Sequence, residues 1–163
     1  MSKFEKVSFE QWVQDCGISS LPTAKLKEWY DAIKLPHQAT ANSAGCDFFM
    51  PFNLNLEAGG KFKIATGIRW TGGEGSVLLM VPRSGLGFKY GIRLSNTVGV
   101  IDADYCNSDN EGHIIVSLEN PSDKDVELAQ GKHFAQGIVV KYEIPEGASS
   151  DAERNGGFGS TDK

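Results

Sequence analysis

The sequence predicts an all-β domain, a sandwich or a barrel, behind a short helical N-terminal extension. Three observations carry this reading. From about residue 31 onward the apolar residues recur with a period of two. The alternating runs are short and separated by Gly, Pro, Asn and Asp turns. Only residues 1–28 show the i, i+3, i+4 spacing of an amphipathic helix. A length of 163 residues suits one domain with a real core.

The elements follow in order. Ser8 and Gln11 have capping-box spacing, and Phe9, Trp12 and Val13 share one helical face. A second short helix starts near Thr23, with Leu26, Trp29 and Tyr30 as its apolar side. In Lys61–Trp70, Phe62, Ile64, Ile68 and Trp70 alternate with Lys61, Lys63 and Arg69. In His113–Leu118, Ile114, Val116 and Leu118 lie on one face, and in His133–Ile144 the even positions form the apolar stripe. The expected division is an extension over 1–28, a β domain over 29–146, and a small, polar, glycine-rich and mobile tail over 147–163.

Composition narrows the classes of function. The longest apolar run, Val77–Val81, falls far short of the roughly 20 residues that span a bilayer, so no membrane partner is expected. Met1–Lys6 leads into no apolar signal core, and the odd set Cys16, Cys46 and Cys106 fits a reducing cytoplasm. A net charge of -5 gives no general attraction for nucleic acid, so a phosphate-bearing ligand would need local groups. The 19 glycines cluster at Gly72–Gly75, Gly85–Gly91 and Gly156–Gly159, marking tight turns or close backbone approach to a ligand. His37, His113 and His133 have no metal-ligand spacing.

Four segments carry candidate chemistry. Pro82–Gly87 follows an apolar strand, and its Arg83, Ser84 and Gly85 read either as a phosphate cradle or as a surface turn. In Asn96–Tyr105 the acids Asp102 and Asp104 would point to opposite faces of an extended segment. One could then line a pocket as general base towards water, beside the flat ring of Tyr105; the other reading is a hairpin with solvated acids. Gln136 falls on the apolar stripe of its strand and needs a partner, either a backbone group or a ligand phosphate. The tail Arg154–Thr161 combines a cation, glycine N–H groups, two hydroxyls and Phe158, which suits closure over a nucleotide or plain disorder.

In order along the chain, Ser43–Phe48, Pro82–Leu86, Asn96–Tyr105, Gly131–Gln136 and Arg154–Thr161 resemble the five motifs of the trimeric dUTP diphosphatase (dUTPase) family. The resemblance covers residues 31 to 161 and implies a jelly-roll-like β-sandwich. It implies hydrolysis of dUTP to dUMP and pyrophosphate, which limits uracil in DNA and supplies dUMP for dTMP synthesis. Asp102 is similar to the family's catalytic base. Asn96 and the hairpin backbone around Gly99 would read uracil, Ile101 would be a further substrate contact, and Tyr105 would pack on the deoxyribose. Arg83, Ser84, Gly85 and Gln136 look like phosphate contacts. Phe158 would cover the base while Arg154, Gly159, Ser160 and Thr161 hold the far phosphates. Mg²⁺ would be chelated mainly by the triphosphate and water, with Asp47 at most in an outer shell. Each of three sites in a homotrimer would draw motifs from all three subunits.

The chain departs from the family pattern in four places. Tyr105 is followed by the longer loop Cys106–His113 instead of Tyr-x-Gly-Glu. His133 replaces a usual Arg, which weakens one expected ion pair. Arg154 is one residue closer to Phe158 than usual, and Thr161 precedes Asp162 rather than Gly. Two other readings share the fold: an enzyme like dCTP deaminase, and a nucleotide-binding regulatory trimer without catalysis. The first needs a glutamate base near the third motif, where Ile101–Tyr105 fits the diphosphatase instead. Against the second stands the retention of Asp102, Ser84, Gln136 and Phe158.

Overall fold

The computed structural model describes residues 2–18 and 20–151. In chain order its elements are strand β1 (Lys3–Lys6), helices α1 (Phe9–Cys16) and α2 (Thr23–Asp31), and strands β2 (His37–Gln38), β3 (Gly45–Phe49), β4 (Leu54–Leu56), β5 (Lys61–Thr71) and β6 (Ser76–Pro82). Helix α3 (Ser84–Tyr90), β7 (Arg93–Leu94), β8 (Gly99–Asp102), a 3₁₀ turn (Ala103–Asn107), β9 (His113–Glu119), β10 (Val126–Leu128) and β11 (His133–Lys141) complete it. The strands form a four-stranded sheet in the order β1-β5-β9-β7, a five-stranded sheet in the order β2-β3-β11-β6-β8, and the pair β10-β4. All their pairings are antiparallel. The fold is an all-β, jelly-roll-like sandwich with a helical N-terminal extension.

The period-two stripes become the inner faces. Ile64, Trp70, Val116 and Leu118 from one sheet and Phe48, Leu78, Met80 and Phe134 from the other are buried in one core. Full burial of such a side chain contributes roughly 1.5–3 kcal/mol.

The extension is more than helices. Residues Lys3–Lys6 add an edge strand to the four-stranded sheet, with Phe4 opposite Trp70. Only one of those four residues is apolar, too few to show an alternation, so the sequence gives no strand signal there. Trp12 of α1 is fully buried and donates its indole N–H to the Ala65 carbonyl at 3.0 Å. On α2, Leu26 is buried and Trp29 and Tyr30 pack against the core, as their spacing predicts.

Two other expectations change. The even-position stripe of His133–Ile144 does not stay inside: a bulge between His133 and Ala135 shifts the register, and Val140, Tyr142 and Ile144 are exposed. The chain also does not remain extended from Asp102 to Asp104. It turns into the 3₁₀ segment at Ala103, so alternation does not govern where the two acids point.

Candidate active site

Strand β6 carries the site, because both groups of candidate residues hang from it. Gly99–Asp102 pairs with one half of β6, with Gly99 opposite Met80 and Asp102 opposite Val77. Gly99 approaches β6 so closely that a Cβ there would lie 2.9 Å from the Met80 Cβ. That contact explains the glycine. The hairpin leading into β8 holds Thr97 at φ 67, a left-handed conformation that a β-branched residue adopts only under strain.

This hairpin, the 3₁₀ turn and β9 enclose a cavity of about 250 Å³. Its lining includes Asn96, Gly99, Ile101, Asp102 and Tyr105, all five expected residues of the third motif. Met80, Leu94, Val100 and the β9 residues Ile115 and Val116 supply apolar walls. None of those five carries a polar side-chain group, so none stood out in the sequence as a candidate for chemistry. The cavity joins one carboxylate, one amide and one phenol ring to a hydrophobic floor. Such a site can hold a flat heterocycle by hydrogen bonds and place a general base at its rim.

Arg83, Ser84, Gly85 and Gln136 lie elsewhere. Arg83 caps α3 from the end of β6, and Gln136 sits opposite Val81 and donates its side-chain amide to the Pro82 carbonyl at 3.3 Å. The partner required for a half-buried Gln is thus a backbone group. Gly45 on β3 makes room for it, since a Cβ at residue 45 would collide with Gln136 Oε1. Val77, opposite Asp102, and Arg83, just past the end of β6, are six residue steps apart, which is about 20 Å of extended chain. None of Arg83, Ser84, Gly85 and Gln136 lines the cavity that holds Asp102.

Asp47 is buried and ion-paired to Arg83 at 2.5 Å, while His133 Nδ1 stands 3.9 Å from its other oxygen. No group of three His, Cys, Asp or Glu side chains that could hold a metal occurs among the described residues. Arg154, Phe158, Gly159, Ser160 and Thr161 lie outside the described residues.

Sequence reasoning missed what stands behind Tyr105. The phenol hydroxyl donates to the His113 carbonyl at 3.0 Å and accepts from the Asn110 side-chain amide at 2.9 Å. His113 is fully buried, with Nδ1 2.6 Å from Asp15 Oδ2 of α1. The backbone N–H of Gly67 can only donate, so His113 Nε2, 2.8 Å away, accepts and the proton sits on Nδ1. Burial pushes the His113 pKa below its ordinary value, opposed by Asp15. The only signals were the length of the 106–113 loop and the helical spacing of the extension.

The fold is a β-sandwich whose cavity sets the Asp102 carboxylate beside the Asn96 amide and the Tyr105 ring. The family model for dUTPase matches residues 31–162, and the chain belongs to the dUTPase family. It is 37% identical over 132 residues to the deoxyuridine 5'-triphosphate nucleotidohydrolase of Lactococcus lactis, covering 79% of this chain and 88% of that protein. It is also 37% identical over 136 residues to the Thiobacillus denitrificans enzyme of the same name, covering 78% and 90%. Among solved structures, the dUTPase from Streptococcus mutans is similar with TM-score 0.68 at 29% identity, over 89% of this chain and 99% of that one. A dUTPase mutant from phage phi11 of S. aureus, 18% identical with TM-score 0.65 over 93% and 97%, shows the same fold and coordinates a structural Mg(II) ion.

Proposed function

We propose that this protein hydrolyses dUTP to dUMP and pyrophosphate. The observation that carries the reading is the single cavity joining Asn96, Gly99, Ile101, Asp102 and Tyr105. Uracil would sit against the Asn96–Gly99 hairpin, and Tyr105 would pack on the deoxyribose. Asp102 takes a proton from water as its oxygen bonds to the α-phosphorus. The bond from that phosphorus to the bridging oxygen breaks, and pyrophosphate leaves with the oxygen. Mg²⁺, brought by the triphosphate, would neutralise phosphate charge, with Asp47 no nearer than an outer shell. The tail residues Arg154, Phe158, Gly159, Ser160 and Thr161 complete the proposed substrate contacts.

The working form is proposed to be a homotrimer with shared sites. The separation of about 20 Å along β6 between the partner of Asp102 and Arg83 supports this. So do the exposed side chains Val139, Val140, Tyr142 and Ile144, which a second copy would cover. Cys16, Cys46 and Cys106 form no disulfide, consistent with a reducing cytoplasm.

Two measurements test the reading. Turnover of dUTP, dCTP, dTTP and UTP with Mg²⁺ should strongly favour dUTP, and Asp102→Asn should lower it roughly 10²–10⁴-fold. Ammonia release from dCTP would point to the deaminase, and tight binding without turnover to the regulatory trimer. Then Asp102→Asn and the exposed Ser84→Glu, each inactive alone, are refolded together. If Asp102 and Ser84 of one site come from different chains, about one quarter of the mixed sites are intact in a symmetric oligomer. No recovery would place the site within one chain.

A further inference from the structure

The loop after Tyr105, one of the chain's departures from the family pattern, and the N-terminal helix are bonded to each other. Resting on the reading of the cavity as a deoxynucleoside site, we propose that Asn110 is a positioning residue for Tyr105, and that the 106–113 loop, braced by α1, sets the preference for a deoxyribose over a ribose.

Each residue of Asn110–His113 has a defined task. Asn110 donates to the Tyr105 hydroxyl at 2.9 Å and to the His113 carbonyl at 3.3 Å, while its own oxygen accepts from the Gly112 N–H at 3.2 Å. Glu111, at φ 59, presents its carboxylate to the start of α1, accepting from the Ser8 N–H at 2.8 Å and the Ser8 hydroxyl at 2.6 Å. Gly112, at φ 71, lies so close that a Cβ would sit 2.5 Å from the Cys106 Cα and 2.8 Å from the Tyr105 carbonyl oxygen. His113 supplies the carbonyl that takes the Tyr105 proton, and its ring is tied to Asp15 and Gly67. Arg69 of β5 also donates to the Cys106 carbonyl at 2.9 Å.

The consequence for the cavity is mechanical. A tyrosine side chain has two main torsions, and a hydroxyl held at both donor and acceptor removes the freedom to tilt the ring. Tyr105 is buried and lines the cavity beside Asp102 and Ile101. Steric exclusion of a 2′-hydroxyl requires a wall that does not yield, because a ring able to swing admits the extra oxygen. Asn110 touches the wall from behind and is not among the cavity lining residues.

The test compares binding of α,β-imido-dUTP and α,β-imido-UTP by calorimetry to the full-length wild type, Asn110→Ala, Tyr105→Phe and the double variant. Asn110→Ala should lower the deoxy-over-ribo preference roughly ten-fold, about the worth of one neutral hydrogen bond. Tyr105→Phe should lower it comparably. In the double variant the loss should equal that of Tyr105→Phe alone, because Asn110 then has no hydroxyl to hold. Losses that multiply would mean that Asn110 acts elsewhere and would overturn the proposal, as would a preference within two-fold of wild type in Asn110→Ala. Tyr105→Phe keeps the ring and decides alone if the Asn110 variant does not fold: an unchanged preference overturns the proposal. Glu111→Gln, remote from the cavity, should lower the preference by a smaller factor. A wild type that prefers the deoxy analogue but does not turn over dUTP would sink the reaction and leave this inference standing. A wild type that binds both analogues equally, or neither, would overturn it.

Discussion

Truncating Trp12 to Ala removes the largest buried side chain of the extension, and the structure allows the consequence to be sized. The indole is fully buried, packs 5.9 Å from the Tyr30 ring, and holds the Ala65 carbonyl at 3.0 Å. A Trp→Ala change in a core costs about 3–5 kcal/mol, and the orphaned carbonyl pushes the value towards the upper end. At about 2.1 cal/mol/K per residue, a chain of 163 residues loses stability at roughly 0.34 kcal/mol per degree near its midpoint. The melting temperature should therefore fall by about 10–15 °C. Trp12→Phe keeps most of the packing and gives up the N–H bond, so about 1–2 kcal/mol and 3–6 °C are expected. Calorimetry at one fixed protein concentration is the assay, since the midpoint of an oligomer depends on concentration. A Trp12→Ala protein melting within 3 °C of wild type, or one showing a separate early transition, would show that the extension is not part of the cooperative unit.

Two further predictions follow from particular contacts. His113 is held neutral by burial and by the Gly67 N–H, so its stabilising contribution is present above its ordinary value of 6.5 and is lost as pH falls through its lowered value in the fold. Melting temperature should thus drop on acidification from pH 7 to 5, and His113→Asn, which does not titrate, should flatten that slope; equal slopes would remove His113 as the cause. Gly45→Ala should push Gln136 out of its position against the Pro82 carbonyl and raise the dUTP KM roughly ten-fold, in the range of one lost hydrogen bond to a charged group. An unchanged KM would take Gln136 out of the substrate contacts.

The parts of the fold legible in the sequence are those where one chemistry repeats at a fixed period. Phe62, Ile64, Ile68 and Trp70 announced β5, and Ile114, Val116 and Leu118 announced β9, because successive side chains of a strand point to opposite faces, although Ile64 to Ile68 of β5 is buried throughout. The cavity was legible because its polar residues are neighbours in sequence, Asn96 to Tyr105. Long-range pairing was not legible. Asp15 meets His113 across 98 residues, and neither sequence position looks unusual by itself. The N-cap of α1 shows the same limit. Ser8 accepts from the Gln11 N–H as the capping-box spacing predicts, yet the Gln11 side chain turns to Asp15 and the reciprocal acceptor is Glu111, 103 residues away. Local spacing identifies the donor left over at a helix start, but only the tertiary fold decides which acceptor reaches it.

That reciprocity also explains how the fold accommodates a longer loop after Tyr105. A surface loop of extra residues is tolerated cheaply when its backbone faces water, because closure entropy grows slowly with length. This loop instead carries a fully buried imidazole and a buried Gly112. A buried ring with an unpaired N–H would lose roughly 1–3 kcal/mol. Asp15 removes that penalty, and Glu111 returns the same service to the Ser8 N–H at the other end of α1. Each element satisfies a polar group of the other. Removing either element alone therefore strands a donor in the one that remains, whereas a chain lacking both strands none, so the extension and the long loop are expected to be gained or lost together.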